Sequence, residues 1–219
     1  MIPIDALWHS QSQQDWCAAL ERYWGFVKPA NRQLEREIEA LKAHDVEAFD
    51  PSQWYAFLLN AYFPWKYTAA NRLATTTGHL KKYKQADSLD ELQHIKEELF
   101  ACDKQDISLC LNSAIKIKGL GPAGASGLLA VLFPLYFGTA DQFVVKALCD
   151  VREFAEKEEL LKMKPEGLTV RNAALIIRLL RAKARELNEA APVGLWTPRK
   201  IDMVLWTYGR NNPDRRGCS

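Results

Sequence analysis

Apolar residues recur along this chain at three- and four-residue spacing almost from end to end, the period of helices that bury one face. Leu34, Ile38 and Leu41 share one such face, with Asn31 as the cap ahead of them. Ser88, Leu89, Asp90 and Glu91 read as a capping box before Leu92, Ile95 and Leu99. Thr169 opens a long helix through Val170, Ala174, Ile177 and Leu180 to about Asn188. Thr197 and Pro198 then supply a cap and a first-turn proline for a helix over Ile201 to Tyr208. No run alternates apolar and polar residues long enough to require a strand, and neither repeats nor low-complexity segments are present. The expected class is all-α. Breaks are expected near Lys28-Pro29, Asp50-Pro51, Phe133-Pro134 through Gly138, Lys164-Pro165-Glu166-Gly167 and Pro192-Val193-Gly194, with a loose tail over Asn211 to Ser219.

Composition narrows the class without naming a function. The 219 residues are 48% hydrophobic and 26% charged, enough to build a sizeable core. The longest apolar stretch, Gly127 to Gly138, falls short of the roughly 20 residues a bilayer helix needs. The start Met1-Ile2-Pro3-Ile4-Asp5 has no basic segment leading into an apolar one, so an intracellular protein with no membrane partner is expected. Five cysteines, odd in number and widely spaced, argue against a disulfide framework and against structural zinc, and no metal is expected. Net charge is only +2, but residues 1–50 carry 5 basic and 9 acidic side chains while residues 151–219 carry 14 and 9. A nucleic acid would meet the later part of the chain; solvated helix faces are the alternative reading.

Two stretches depart from ordinary bundle composition. Between Phe49 and Tyr67 lie eight aromatics, of which Trp54 and Phe57 suit a buried face with Leu58. Tyr62-Phe63-Pro64-Trp65-Lys66-Tyr67 crowds rings and a cation around a proline, which fits either a base-stacking cluster or a packed corner. The second stretch is Ile117-Lys118-Gly119-Leu120-Gly121-Pro122-Ala123-Gly124-Ala125-Ser126. Glycines here allow a tight hairpin, and the helix that follows offers backbone N–H groups and its positive dipole end to an anion. A dinucleotide fold is rejected: the third glycine of G-x-G-x-x-G is missing, and no strands exist to carry it.

This hairpin resembles the helix-hairpin-helix of the DNA glycosylase superfamily that includes endonuclease III, where a Leu-Pro-Gly-Val-Gly-type turn is followed by a Gly/Pro loop and an essential aspartate. Gly119-Leu120-Gly121 is followed here by the apolar Leu128 to Leu132, the loop Pro134 to Gly138, and Asp141, 22 residues after Gly119. Lys146 stands where such proteins place a basic side chain. Leu58-Leu59-Asn60-Ala61-Tyr62 is similar to the family's early Leu-Leu-Ser-x-Gln helix, with Tyr62 in place of the usual Gln. The resemblance covers residues 117–148 and extends more faintly from residue 54 to the last helix. It implies two helical lobes, a barrel over 50–138 and a second lobe from 1–49 plus 139–219, with duplex DNA in the cleft between them and Asp141 at its mouth.

The resemblance also assigns roles. Asp141 would be the catalytic carboxylate, stabilising positive charge on the sugar or orienting water as an N-glycosidic bond breaks; capping a helix is its other reading. Lys118, Gly119, Gly121, Ala123 and Gly124 would hold a phosphate, with Lys146 beside them. Arg171 and Arg178, in one stripe with Arg181 and Arg185, form either a phosphate track or a solvated face. Tyr62, Trp65, Phe143 and Trp206 are candidates for base pocket or wedge, against core positions. Bifunctional members carry a Schiff-base lysine where this chain has Ala123, so no strand cleavage through that position is expected. Only Cys149 and Cys218 follow Asp141, too few for an iron–sulfur loop, and no cofactor is expected. The expected function is a monomeric, monofunctional glycosylase acting on a damaged or modified base in double-stranded DNA. A non-catalytic helix-hairpin-helix DNA-binding protein and an all-α protein-interaction module are the alternatives.

Overall fold

The computed structural model describes residues 2–153, 155–190 and 196–211, and among these every regular element is helical. In chain order they are α1 (Ile4–His9), α2 (Gln13–Phe26), α3 (Arg32–Glu39), α4 (Ala43–Glu47), α5 (Pro51–Phe57), α6 (Phe63–Lys66) and α7 (Ala70–Gln85). They continue as α8 (Leu89–Ala101), α9 (Ile107–Ile115), α10 (Pro122–Leu132), α11 (Gln142–Cys149), α12 (Lys157–Leu161), α13 (Val170–Ala190) and α14 (Pro198–Arg210). The expected break at Pro192-Val193-Gly194 and the tail from 212 onward lie outside the described residues. No described helix is long and apolar enough to cross a membrane.

Local chemistry starts several helices where expected. Thr197 accepts from the Lys200 N–H at 3.2 Å ahead of Pro198, and Thr169 and Asn172 exchange side-chain and backbone hydrogen bonds at the head of α13. Asp50 and Gln53 form a capping box for α5. Two expected caps do not form. Asn31 is the last residue of a 3₁₀ turn and already has helical dihedrals, and its side chain makes no capping hydrogen bond. Ser88 turns its hydroxyl back to the Tyr83 carbonyl at 3.3 Å instead of capping α8.

Pro64 does not break its helix. Between α5 and α6 the chain takes one π-helical turn, Leu58–Tyr62, and the Phe63 N–H donates to the Leu58 carbonyl five residues back. The widened turn absorbs the hydrogen bond that a proline inside a helix cannot make. Trp54, Phe57 and Leu58 are buried as the pattern implied.

One core joins most of the chain, from Leu7 and Trp16 through Leu128 to Leu132 and on to Leu205. α2 and α11 both pack on α14, while α9 packs on α10 and α13. N-terminal and C-terminal segments therefore share an interface. Gly209 makes the α11–α14 contact unusually close, because any Cβ there would run into the Phe143 backbone. One expectation about cysteine is overturned: Cys102, at the end of α8, is disulfide-bonded to Cys110 on α9, with Cα atoms 5.9 Å apart. The turn after α8 brings together two residues that linear spacing had left unrelated.

Candidate active site

The loop before α11 is held from two sides. From α10, the buried Ser126 hydroxyl accepts the Ala140 N–H at 2.9 Å; from α14, the buried Asp202 accepts the Thr139 N–H at 2.5 Å. Asp141 follows immediately in extended conformation, and its Oδ1 caps α11 by accepting from Phe143 N at 2.9 Å and Val144 N at 3.2 Å. Capping occupies one oxygen. Oδ2 faces Lys66 Nζ at 4.0 Å, and the side chain remains 20% exposed. The capping reading of Asp141 therefore holds, and the cap leaves its second oxygen outside those two hydrogen bonds.

Asp141 opens onto a cleft of about 340 Å³. That size lies in the range of small-molecule sites, about 300–1,000 Å³. Trp65, Phe143 and Trp206 line it, with Phe143 and Trp206 edge to face at 5.9 Å between centroids. Lys28, Arg72 and Arg210 also line it, the last lying over the Trp206 ring. The Thr139 hydroxyl in the same wall is buried with no hydrogen-bond partner among the described residues.

Behind the wall runs a buried charge network. Arg199 donates to Asp202 at 2.6 Å and to Glu35 at 3.0 Å, and lies 3.4 Å from Glu39. Glu35 also accepts from the Tyr23 hydroxyl at 2.6 Å and the Trp65 indole N–H at 2.7 Å. The network joins α3, α6 and α14 and fixes the Trp65 ring at the cleft. Burial holds Asp202 up at about 7 against the pull of Arg199 and the Thr139 N–H. Burial also pushes the Lys66 ammonium below the usual lysine range; Asp141 and Asp202 draw it back up, and Arg199 pushes it further down.

The sites expected from sequence divide. Asp141, Ala123, Trp65, Phe143 and Trp206 all line the one cleft. Tyr62 does not: it is wholly buried, its hydroxyl donating to the Gly124 carbonyl, so it is a core residue rather than a pocket wall or wedge. Gly119 has φ +99, a conformation that favours glycine, and it lies with Gly121, Ala123 and Gly124 along a neighbouring groove. The Lys118 backbone N–H donates to the Tyr83 hydroxyl at 3.1 Å, and its half-exposed ammonium donates to Glu91 at 3.0 Å. Lys146 lies 5.7 Å from the centre of the Phe143 ring and outside the cleft lining.

The arginine stripe on α13 is likewise no lining of the cleft. Arg171 pairs with Glu159 and Arg185 with Glu189, while Arg181 donates to the carbonyls of Lys104 and Tyr136; Arg178 is exposed. Sequence reasoning missed Glu35, Lys66, Ser126 and Arg199. The available signals were a lysine inside an aromatic run, and an Arg/Asp pair three apart on an otherwise apolar α14 face. Among the described residues no cluster of His, Cys, Asp or Glu is arranged to hold a metal. Comparison with protein-family models, with curated proteins and with solved structures returned no match.

Proposed function

We propose that this protein is a DNA N-glycosylase that hydrolyses the bond between deoxyribose and a damaged or modified base, with Asp141 as the catalytic carboxylate. The observation that carries the reading is one carboxylate, anchored through Oδ1 and with Oδ2 engaged only by Lys66 at 4.0 Å, opening onto an aromatic-walled cleft. As the base departs, positive charge builds on the sugar, and a fixed anion beside it stabilises that state or orients the attacking water. The target nucleotide must first leave the duplex stack, and Trp65, Phe143 and Trp206 supply flat apolar faces for the extruded base. Lys28, Arg72 and Arg210 suit flanking phosphates. The groove beside Gly119 to Gly124 suits one more phosphate through the unpaired N–H groups that begin α10.

The test is a panel of duplexes carrying different lesions and modified cytosines, assayed for abasic sites after alkali. Base release from at least one substrate is expected, lost in Asp141→Asn with duplex affinity retained. Salt-sensitive duplex binding that yields no abasic site on any substrate would leave a DNA-binding protein without this chemistry. No binding even at low salt would point to the protein-interaction reading.

A further inference from the structure

The cleft beside Asp141, about 340 Å³, and the neighbouring groove, about 470 Å³, share Tyr67, Arg72, Ala123, Pro165 and Glu166 in their walls. They are therefore two reaches of one channel, with Tyr67 and Arg72 at the junction. The groove is bounded by α7 through Arg72, Thr75 and Thr76, by the hairpin at Gly119 to Gly124, and by the turn at Pro165 to Leu168. A Cβ on Gly119 would stand 3.1 Å from the Thr76 carbonyl oxygen and 3.2 Å from His79 Cβ, so the hairpin rests directly on α7. From that contact α7 carries the groove wall onward. Arg72, Thr75, His79 and Lys82 are all exposed and stand three, four and three apart, which puts them on one face about 15 Å long. Lys116 and Lys118, which lead into the hairpin, are paired with Glu98 and Glu91. Arg72, His79 and Lys82 form no ion pair with any described residue.

We propose that this channel binds single-stranded DNA, with bases against the rings of Trp206, Trp65 and Tyr67 and the backbone crossing Arg72 and following α7 past His79 to Lys82. DNA is taken as the strand from the glycosylase reading, but the binding uses no chemistry at Asp141. Two observations select a lone strand. First, rings and unpaired cations follow one another along one path: Trp65 and Trp206 in the cleft, half-buried Tyr67 at the junction, then the cations of α7. Successive bases stack on rings, and phosphates track cations, whatever the base sequence. Second, both reaches of the channel have the volume of small-molecule sites. B-DNA does not fit such a passage, since its major groove alone is about 12 Å wide. A duplex can therefore offer the channel only an extruded nucleotide and its nearest neighbours, whereas a free strand can fill it.

The experiment titrates the full chain with two fluorescent oligothymidylates, one of about 3 nucleotides and one of about 12. The long strand should bind at least about tenfold more tightly than the short one, and more weakly as salt rises. Lys82→Ala and His79→Ala should each weaken the long strand about threefold or more without affecting the short one, which the cleft alone holds. Lys82→Ala should also lower the slope of log affinity against log salt by about 0.7. Lys84→Ala removes an exposed lysine two residues from Lys82 and off the same face, and should leave both strands unaffected. Photocross-linking of a long strand carrying 5-iodouracil should modify Trp65, Tyr67 or Trp206, a readout that needs no variant to fold. No binding of the long strand at low salt, equal losses in Lys82→Ala and Lys84→Ala, or cross-links confined to residues outside the channel would each overturn the proposal. Base release from a lesion duplex without strand binding sinks this proposal alone. Strand binding in the expected pattern with no base release from any lesion sinks the glycosylase reading alone, and the absence of both sinks both.

Discussion

Gly209 presses its Cα against the backbone of Phe143, so closely that a methyl group there would overlap the Phe143 carbonyl. Phase and distance between α14 and α11 are set at this point, and α11 is the helix that Asp141 caps. Gly209→Ala has no flexible side chain to displace; it must push the backbones of α11 and α14 apart, costing about 3 kcal/mol and lowering Tm by about 6–12 °C. Gly78→Ala is the control, since nothing lies within 4 Å of its Cβ position on an exposed face of α7. It should stabilise by about 0.5–1 kcal/mol. Thermal melts of the two variants check the contrast, and equal Tm values would show the α11–α14 contact to be looser than described.

Capping and catalysis at Asp141 separate by substitution. Asn keeps the Oδ1 acceptor for the Phe143 and Val144 N–H groups but removes the charge at the second oxygen. Ala removes both. Asp141→Asn should melt close to the parent protein, whereas Asp141→Ala should lose about 1 kcal/mol. Each should lower base release at least about a hundredfold. If Asp141→Asn kept the parent rate on a cleaved substrate, the carboxylate would be only a cap.

The cations that meet DNA are expected to be those of the cleft rather than those of α13. Arg72→Ala and Arg210→Ala should each weaken duplex binding and reduce the slope of log affinity against log salt by about 1. Arg178→Ala, outside that lining, should change neither. Fluorescence titrations across a salt series distinguish the two sets, and an equal effect at Arg178 would restore α13 as a phosphate track.

Asp202 makes stability depend on pH in a stated direction. It faces Arg199 and the Thr139 N–H, which favour its ionised form, as does Lys66, while burial and Asp141 oppose ionisation. The net effect raises it from an ordinary 3.8 to about 7 in the folded protein. Through that window the folded state keeps a proton the unfolded chain has released. The contribution of Asp202 is therefore full below about pH 4 and is lost as pH rises towards about 7. Asp202→Asn does not titrate, so its Tm should gain on the parent over this range. A difference that stayed flat, or moved the other way, would mean that Arg199 keeps the carboxylate ionised throughout.

Helices were legible because a 3.6-residue period is a local property: Leu92, Ile95 and Leu99 announce a buried face whatever they pack against. Caps were legible only where the flanking backbone cooperated, as at Thr197 and not at Asn31 or Ser88. Asp141 was found through its interval from the hairpin. Glu35, Lys66 and Arg199 were not, because what joins them is a contact across 164 positions between Glu35 and Arg199, and the emergence of Lys66 beside Asp141. For the same reason the arginine period on α13 reported a face but not its partners, which are the carbonyls of Lys104 and Tyr136 for Arg181.

The wide turn at Leu58–Tyr62 makes helix length itself part of the chemistry. Its extra residue advances everything downstream, and removing one residue there would wind α6 back by about 100°. Trp65 would lose its reach to Glu35, and the Lys66 amine would swing off the face of α10. A lineage that dropped one codon in this stretch would keep Trp65, Lys66 and Asp141 in its sequence and lose the arrangement that brings them to one cleft.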